Sequence, residues 1–360
     1  MLRIKRPTLV IDKQRCLSNI EKIARKAGRS GVIFRPHFKT HQSTQVAEWF
    51  RSCGVEKICV SSVEMATRFA HAGWKDITIA FPLNHPQINE INGLAGKINL
   101  NLLVESLEST RFLADNLHTN AGVFIEIDTG HHRSGIDHKD HGRISSILEF
   151  LLQEWQPRFK GFLVHSGDTY KANNPGQIED NYKRDLSYLD KLKKEFIASF
   201  PDLIVSVGDT PSCSLIEDFS GVDEIRPGNF VFYDIMQYEI GACSLEEIAV
   251  AVACPVVGKN PGRHEIVIYG GAVHLSRESL LSPDGTLHFG LVVNFDENGW
   301  GEPLENTKVV SLSQEHGIIS TTAELYNTIE RGQIIGILPV HSCLTNDLLL
   351  GNTLVLEERY

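Results

Sequence analysis

The stretch "GVIFRPHFKTHQSTQ", residues 31–45, sets an apolar run, Val32-Ile33-Phe34, against four bases: Arg35, His37, Lys39 and His41. All four carry odd numbers, so on an extended strand they share one face, with Phe34, Pro36 and Phe38 on the other. Crowding like charges is costly, but it has a chemical use. Arg35 and His37 beside Lys39 disfavour its ammonium form and favour a reactive amine.

Further groups of chemical interest follow along the chain. "EIDTGHHRSGI" holds Asp128, His132 and Arg133, and "HSGDTY" holds His165 and Tyr170. "VGDTPSCS" brings Gly208, Asp209, Thr210 and Ser212 into a turn rich in hydroxyls and backbone N–H, and "EIRPGNFVFYD" adds Arg226, Gly228 and Asn229. Backbone N–H groups at a turn or helix start make an anion nest. Near the end, "PVHSCLTND" contains a His-x-Cys pair, His341 and Cys343. On a strand such a pair shares a face and reaches one ion, and a thiolate favours zinc over manganese or magnesium.

The elements that must position these groups show a rhythm. Eight β-rich runs, at 31–37, 56–62, 76–81, 97–104, 121–128, 159–165, 202–208 and 223–228, alternate with amphipathic segments such as "STQVAEWFRSCG" and "SVEMATRFAHAG". Those segments close on Gly, as helix C-termini often do. Eight such units predict a (β/α)8 TIM-type barrel over 8–240. A doubly wound open sheet is the other arrangement, but no GxGxxG follows the first strand. From 241 to 360 short strands with Gly, Pro and Asn turns predict an antiparallel β domain, residues 1–12 being open to either domain. Barrel active sites lie at the C-terminal strand ends, with phosphate at the last two. The groups named above fall at those ends. A lysine facing a phosphate cup points to pyridoxal phosphate, whose aldehyde needs an unprotonated amine.

Bulk properties narrow the field. The 360 residues are 42% hydrophobic and 22% charged, with a formal net charge of −10, so a basic nucleic-acid footprint is absent and an anionic ligand needs a local cation cluster. The most apolar run, 248–258, is about half of a membrane span and contains Pro255. Seven scattered cysteines with no CxxC, and an N-terminus with no signal-peptide core, point to reduced thiols in the cytoplasm.

Together "PTLVIDKQRCLSNI", "RPHFKTH", "DTGHHRSG", "GDTPS", "EIRPGNFVFYD" and "PVHSCLTND" resemble, in order, the landmarks of the fold-type III pyridoxal-phosphate enzymes of the D-serine dehydratase and D-threonine aldolase group. The resemblance spans nearly the whole chain. It implies an alanine-racemase-type barrel, a β domain and a homodimer. It implies that Lys39 forms the Schiff base and then acts as base on the substrate α-proton. It sets Arg133 near the cofactor's phenolic oxygen, Arg226 at the pyridine nitrogen and Tyr170 in the active site. His37 and His165 would line the cofactor, with Gly208, Thr210, Gly228 and Asn229 at its phosphate. A divalent metal would sit on His341 and Cys343, beside the cofactor.

The expected reaction is β-elimination from a D-3-hydroxy amino acid such as D-serine. The aldolase group, by the same resemblance, places a carboxylate where Cys343 stands, which favours the dehydratase over retro-aldol cleavage. A racemase needs a second base that the sequence does not identify. A non-catalytic pyridoxal-phosphate carrier lacks the β domain, and a barrel for another phosphorylated ligand would lack an absorbing cofactor.

Overall fold

A computed structural model of the chain describes residues 4–154 and 158–357. The chain divides into two units, one made of Met1–Ile20 with Asn229–Tyr360 and the other of Glu21–Gly228. The division falls at 228/229, ahead of the expected 240/241, so residues 229–240 group with the β unit. The first strand, β1 (Thr8–Asp12), open to either domain in the sequence, pairs with strands of that unit.

Unit Glu21–Gly228 is a parallel barrel. Its strands are β2 (Ile33–Phe34), β3 (Lys57–Val60), β4 (Asp76–Pro82), β5 (Asn99–Val104), β6 (Gly122–Asp128), a short side strand β7 (Ile136–Asp137), β8 (Phe159–Val164), β9 (Ile204–Val207) and β10 (Glu224–Ile225). They lie in the order β2-β10-β9-β8-β6-β5-β4-β3, with β7 on β6. The two ends nearly close the ring beyond β2, where His37 bridges Cys59. There Cys59 N donates to Pro36 O at 2.9 Å and Phe38 N donates to Cys59 O at 2.8 Å. Each of the eight main strands falls within or next to an expected run.

Helices follow the strands because the local chemistry starts and stops them. Ser43, Ser62 and Ser106 each cap a helix through the side-chain oxygen, opening Thr44–Ser52, Val63–His71 and Leu107–Asn116. Gly54 (φ 82°) and Gly73 (φ 91°) then end the first two in left-handed conformation.

The strand register sets Glu126, Leu163, Ser206 and Glu224 side by side across β6, β8, β9 and β10. Leu103, Phe124 and Leu163 form an apolar cluster in the same sheet. A polar chain runs past it. Arg35 donates to Asp76 (2.5 Å) and Glu224 (2.6 Å), Ser206 Oγ donates to Glu224 (2.7 Å), and Arg226 donates to Ser206 Oγ and to Val164 O, both at 2.6 Å. Arg35 is paired with Asp76 and Glu224, and the buried Arg226 is met by the neutral oxygens of Ser206 and Val164, so each charged group has partners as a low-dielectric interior requires.

The other unit is an eight-stranded sheet in the order β12-β17-β16-β15-β18-β11-β1-β19. Its strands after β1 are β11 (Val250–Asn260), β12 (Glu265–Tyr269), β15 (Gly290–Asp296), β16 (Gly299–Leu312), β17 (His316–Ser320), β18 (Ile334–Pro339) and β19 (Thr353–Leu356), with β13 (Leu280–Leu281) and β14 (Leu287–His288) forming a separate hairpin. β11 pairs with β18 through Val252–Pro255 and with β12 through Val256–Asn260, so six strands join in a ring. All pairs are antiparallel except β1 with β19. The expected antiparallel domain thus carries one parallel edge.

Candidate active site

The chain does not stay extended past His37, and that changes the reading of residues 35–41. A turn runs over 38–41 and closes with Gln42 N donating to Phe38 O at 2.9 Å. Phe38 drives the turn. It is fully buried, with ring centroids 4.9 Å from Phe50, 5.0 Å from Phe69 and 5.1 Å from Trp74. The four bases therefore do not share a face. Arg35 is committed to Asp76 and Glu224 and does not crowd Lys39. His41 is buried against Phe38 and Phe50, and burial pushes it down to about 3. Lys39 alone is exposed.

Lys39 acts, with charges from other strand ends, on two buried histidines. Burial, followed by the charges of Lys39, Arg226, His165 and Arg133, holds His37 well below its ordinary value. His165, just beyond β8, is pushed to about 3 by burial and then by Arg133, Lys39 and Arg226, against a hydrogen bond to Gly208 O at 2.7 Å. In the neutral ring Nδ1 is the donor in that bond, which leaves Nε2 an acceptor. Beside it lies Ser166 Oγ, buried and with no hydrogen-bond partner among the described residues. Arg133 is exposed on the loop after β6, whereas Arg226 is buried with its guanidinium fixed by Ser206 and Val164.

That loop is shaped by Asp128, which accepts from Gly130 N (2.9 Å) and His132 N (3.1 Å). Burial opposes the ionised Asp128, but those N–H groups and the His132 ring outweigh it and hold its carboxyl below the usual range. Glu126 is pushed up by burial, against Ser134 and the two arginines.

The turn after β9 differs from the expected cup of open N–H groups. Thr210 N already donates to Tyr170 Oη at 3.0 Å, and Ser212 N donates to Asp209 Oδ1 at 2.7 Å. Asp209, also bonded by Thr169 Oγ1 (2.9 Å), is pushed up to about 6 by burial. Gly208 and Gly228 are tight for reasons inside the protein. A Cβ on Gly208 would lie 2.8 Å from Arg226 Cβ, and one on Gly228 would lie 3.0 Å from His37 O. Bulky substitution there would disturb barrel packing as well as a ligand.

The β unit holds the second group. His341 and Cys343 do not lie on a strand. His341 is the N-cap of the helix Ser342–Leu348, and Cys343 is in its first turn. They nonetheless meet. Burial favours the neutral imidazole, but a hydrogen bond with Cys343 and the charges of Cys343, Asp234 and Glu278 lift His341 to about 9. Asn229, expected to offer backbone N–H to a phosphate, instead uses its side chain in this unit. Nδ2 lies within hydrogen-bond distance of Asp234 Oδ2 (2.6 Å), Ser342 Oγ (3.0 Å) and Cys343 Sγ (3.5 Å), its two hydrogens serving three acceptors. Among the described residues no third His, Cys, Asp or Glu joins the pair in a metal-binding cluster.

Sequence reasoning passed over Ser166, Ser206, Glu224 and Asp234. Asp234 had one local signal, its place as N-cap of the helix Ile235–Glu239. The other three are small or acidic residues on strands or their ends, with no spacing to mark them.

A strand-end amine among neutral imidazoles and arginines, on this barrel, defines a class. Residues 11–235 match the family "Alanine racemase, N-terminal domain", and the chain belongs to that family. Residues 249–351 match the "Putative serine dehydratase domain". The chain is 30% identical over 363 residues to D-serine dehydratase of Dictyostelium discoideum, covering 91% of this chain and 87% of that one. It is 28% identical over 356 residues to D-threo-3-hydroxyaspartate dehydratase of Delftia sp. (strain HT23), covering 96% and 92%. A solved cysteine-to-alanine mutant of a D-threo-3-hydroxyaspartate dehydratase, in metal-free form, superimposes with a TM-score of 0.88 at 27% identity, covering 96% and 93%.

The barrel residues fit pyridoxal phosphate. Lys39 is an exposed amine past the first barrel strand, Ser166 offers a buried hydroxyl without a partner, and Arg133 and Arg226 can face anionic or electron-rich atoms. His341 and Cys343, a nitrogen and a sulfur donor in contact, fit a divalent metal with open positions.

Proposed function

We propose that the protein is a pyridoxal-phosphate- and metal-dependent lyase that removes water from D-serine or a close D-3-hydroxy amino acid. The observation that carries this is the company of Lys39: the one exposed base of the 35–41 stretch, set among His37, His165, Arg133 and Arg226. Bound to the lysine, the cofactor supplies an electron sink for charge left at the substrate α-carbon. Lys39 Nζ would hold the cofactor and would take the proton from the substrate α-carbon. His37 and His165 stay neutral at physiological pH and add no charge beside that amine. Arg133 would stabilise the cofactor's phenolic oxygen and Arg226, rigidly held by Ser206 and Val164, would serve its ring nitrogen. Tyr170 and Thr210, already joined through the Thr210 N–H, would hold its phosphate with Gly208 and Gly228.

His341 and Cys343 bind the metal, and zinc suits an imidazole–thiolate pair best. Hydroxide is a poor leaving group, and a metal would stabilise negative charge on the departing β-oxygen. The thiolate at Cys343 supports the dehydratase over the D-threonine aldolase reaction, and no second base for a racemase stands out. All seven cysteines are thiols, which suits a cytoplasmic enzyme, here taken to be a homodimer.

The test is product identity with and without metal. D-serine should give pyruvate and ammonia, and D-threonine should give little glycine and acetaldehyde. A chelator or Cys343→Ala should lower pyruvate formation by at least about 10²-fold while the bound cofactor's absorbance stays. Full turnover without metal would overturn the role of the pair, and glycine as the main product would favour the aldolase.

A further inference from the structure

We propose that Asn229 is a positioning residue for the metal-binding sulfur, presenting an amide N–H that orients Cys343 and stabilises it as the thiolate ligand. The inference rests on the reading of His341 and Cys343 as metal ligands. Asn229 is buried, and its Nδ2 lies 2.6 Å from Asp234 Oδ2, 3.0 Å from Ser342 Oγ and 3.5 Å from Cys343 Sγ, so one N–H goes to Asp234 and the other is shared between Ser342 Oγ and the sulfur. The amide has a fixed sense. Asp234 is an acceptor and is itself buried, so an inverted amide would set a carbonyl against a carboxylate. The sulfur therefore meets a donor.

Asp234 does more than fix the amide. It accepts from Ser342 N (2.9 Å) and Ser342 Oγ (3.2 Å), which pins the residue between the two ligands, and from Gln237 N (3.0 Å). One carboxylate thus sets both the backbone that carries His341 and Cys343 and the amide that touches the sulfur. An N–H directed at a thiolate lowers the energy of its lone pairs, and partners of metal ligands commonly change metal affinity about 10- to 100-fold.

Cobalt(II), a coloured substitute for zinc, reads this directly. The metal-free protein is loaded with cobalt as wild type, Asn229→Ala, Ser342→Ala and Cys343→Ala, and zinc affinity is measured by competition. The wild type should show a sulfur-to-cobalt charge-transfer band that Cys343→Ala lacks. Asn229→Ala should keep the band but move it to longer wavelength, and should weaken zinc binding about 10- to 100-fold. Ser342→Ala, which loses contacts to Asp234 and Asn229 but none to the sulfur, should leave the band in place. If Asn229→Ala does not fold, Asp234→Ala removes the acceptor that orients the amide, with Asn229 intact, and should move the band the same way. An unmoved band with unchanged affinity overturns the inference, as does an equal shift in Ser342→Ala. A Cys343→Ala protein that keeps both band and affinity overturns the metal reading beneath it instead.

Discussion

The mouth of the barrel and the start of the helix Ser342–Leu348 assemble reactive groups in opposite ways. In the barrel, the charges of Lys39, Arg133 and Arg226, from beyond different strands, converge on the buried His37 and His165. A hydrogen-bonded polar chain, Asp76–Arg35–Glu224–Ser206–Arg226, runs through the sheet. In the β unit, the two candidate ligands are two residues apart, and a single carboxylate, Asp234, fixes the backbone between them. The barrel gathers distant residues by topology and must neutralise its buried charges to do so. The β unit fixes two near neighbours in sequence by a few hydrogen bonds from Asn229 and Asp234, which lie 108 to 114 positions away in the chain. Substitutions in the barrel should therefore separate cleanly into those that stop chemistry and those that unfold the protein.

The largest effect expected is at Lys39. Lys39→Ala should lower kcat by about 10⁴-fold or more, about 5.5 kcal/mol of barrier, with an unchanged unfolding midpoint because the side chain is exposed. Borohydride reduction of the wild type should leave the cofactor on the peptide containing Lys39. An adduct on a different lysine would move the reactive amine elsewhere.

Arg35→Met should do the reverse of Lys39→Ala. It leaves the buried Glu224 without its cation and Asp76 with only Lys57 at 3.9 Å, and should cost about 3–5 kcal/mol in denaturant unfolding. A loss below about 1 kcal/mol would mean that the barrel does not depend on its paired charges, and the contrast drawn above would fail.

A smaller effect, with a definite sign, is expected at Asp209. Burial raises its carboxyl from 3.8 to about 6, so the folded state holds the proton more tightly than the unfolded chain. Its contribution is fully present below the unfolded value and is lost as pH rises through about 6. Asp209→Asn keeps an acceptor for Ser212 N, should remove that slope from the unfolding free energy, and should add roughly 2–3 kcal/mol at pH 7. A wild-type stability that rises from pH 4 to 6, with no difference in Asp209→Asn, would show that the turn after β9 holds its carboxylate without strain.

Much of the barrel was legible because hydrophobic runs and closing glycines repeat with short connections. Expected runs 76–81 and 121–128 are the observed Asp76–Pro82 and Gly122–Asp128. The candidate residues were legible by type at strand ends. The direction each one faces was not. Alternation placed Arg35 and Lys39 on one face, but the turn at 38–41 depends on the fit of Phe38 among Phe50, Phe69 and Trp74. His341 and Cys343 were read as strand neighbours, and a helix start brings them together instead.

By itself, the sequence determined the order of strands and helices and the placement of Lys39, Arg133, His165, Thr210 and Arg226 at strand ends, because period, caps and turn residues act over a few positions. Only the tertiary structure decided which charges are spent and which are available. Arg35 is neutralised by Asp76 and Glu224, Thr210 N by Tyr170, and the Asn229 amide is turned toward Cys343 by Asp234. Most of those partners are tens of residues or more away in the chain, and burial in a low-dielectric interior obliges each polar group to find one.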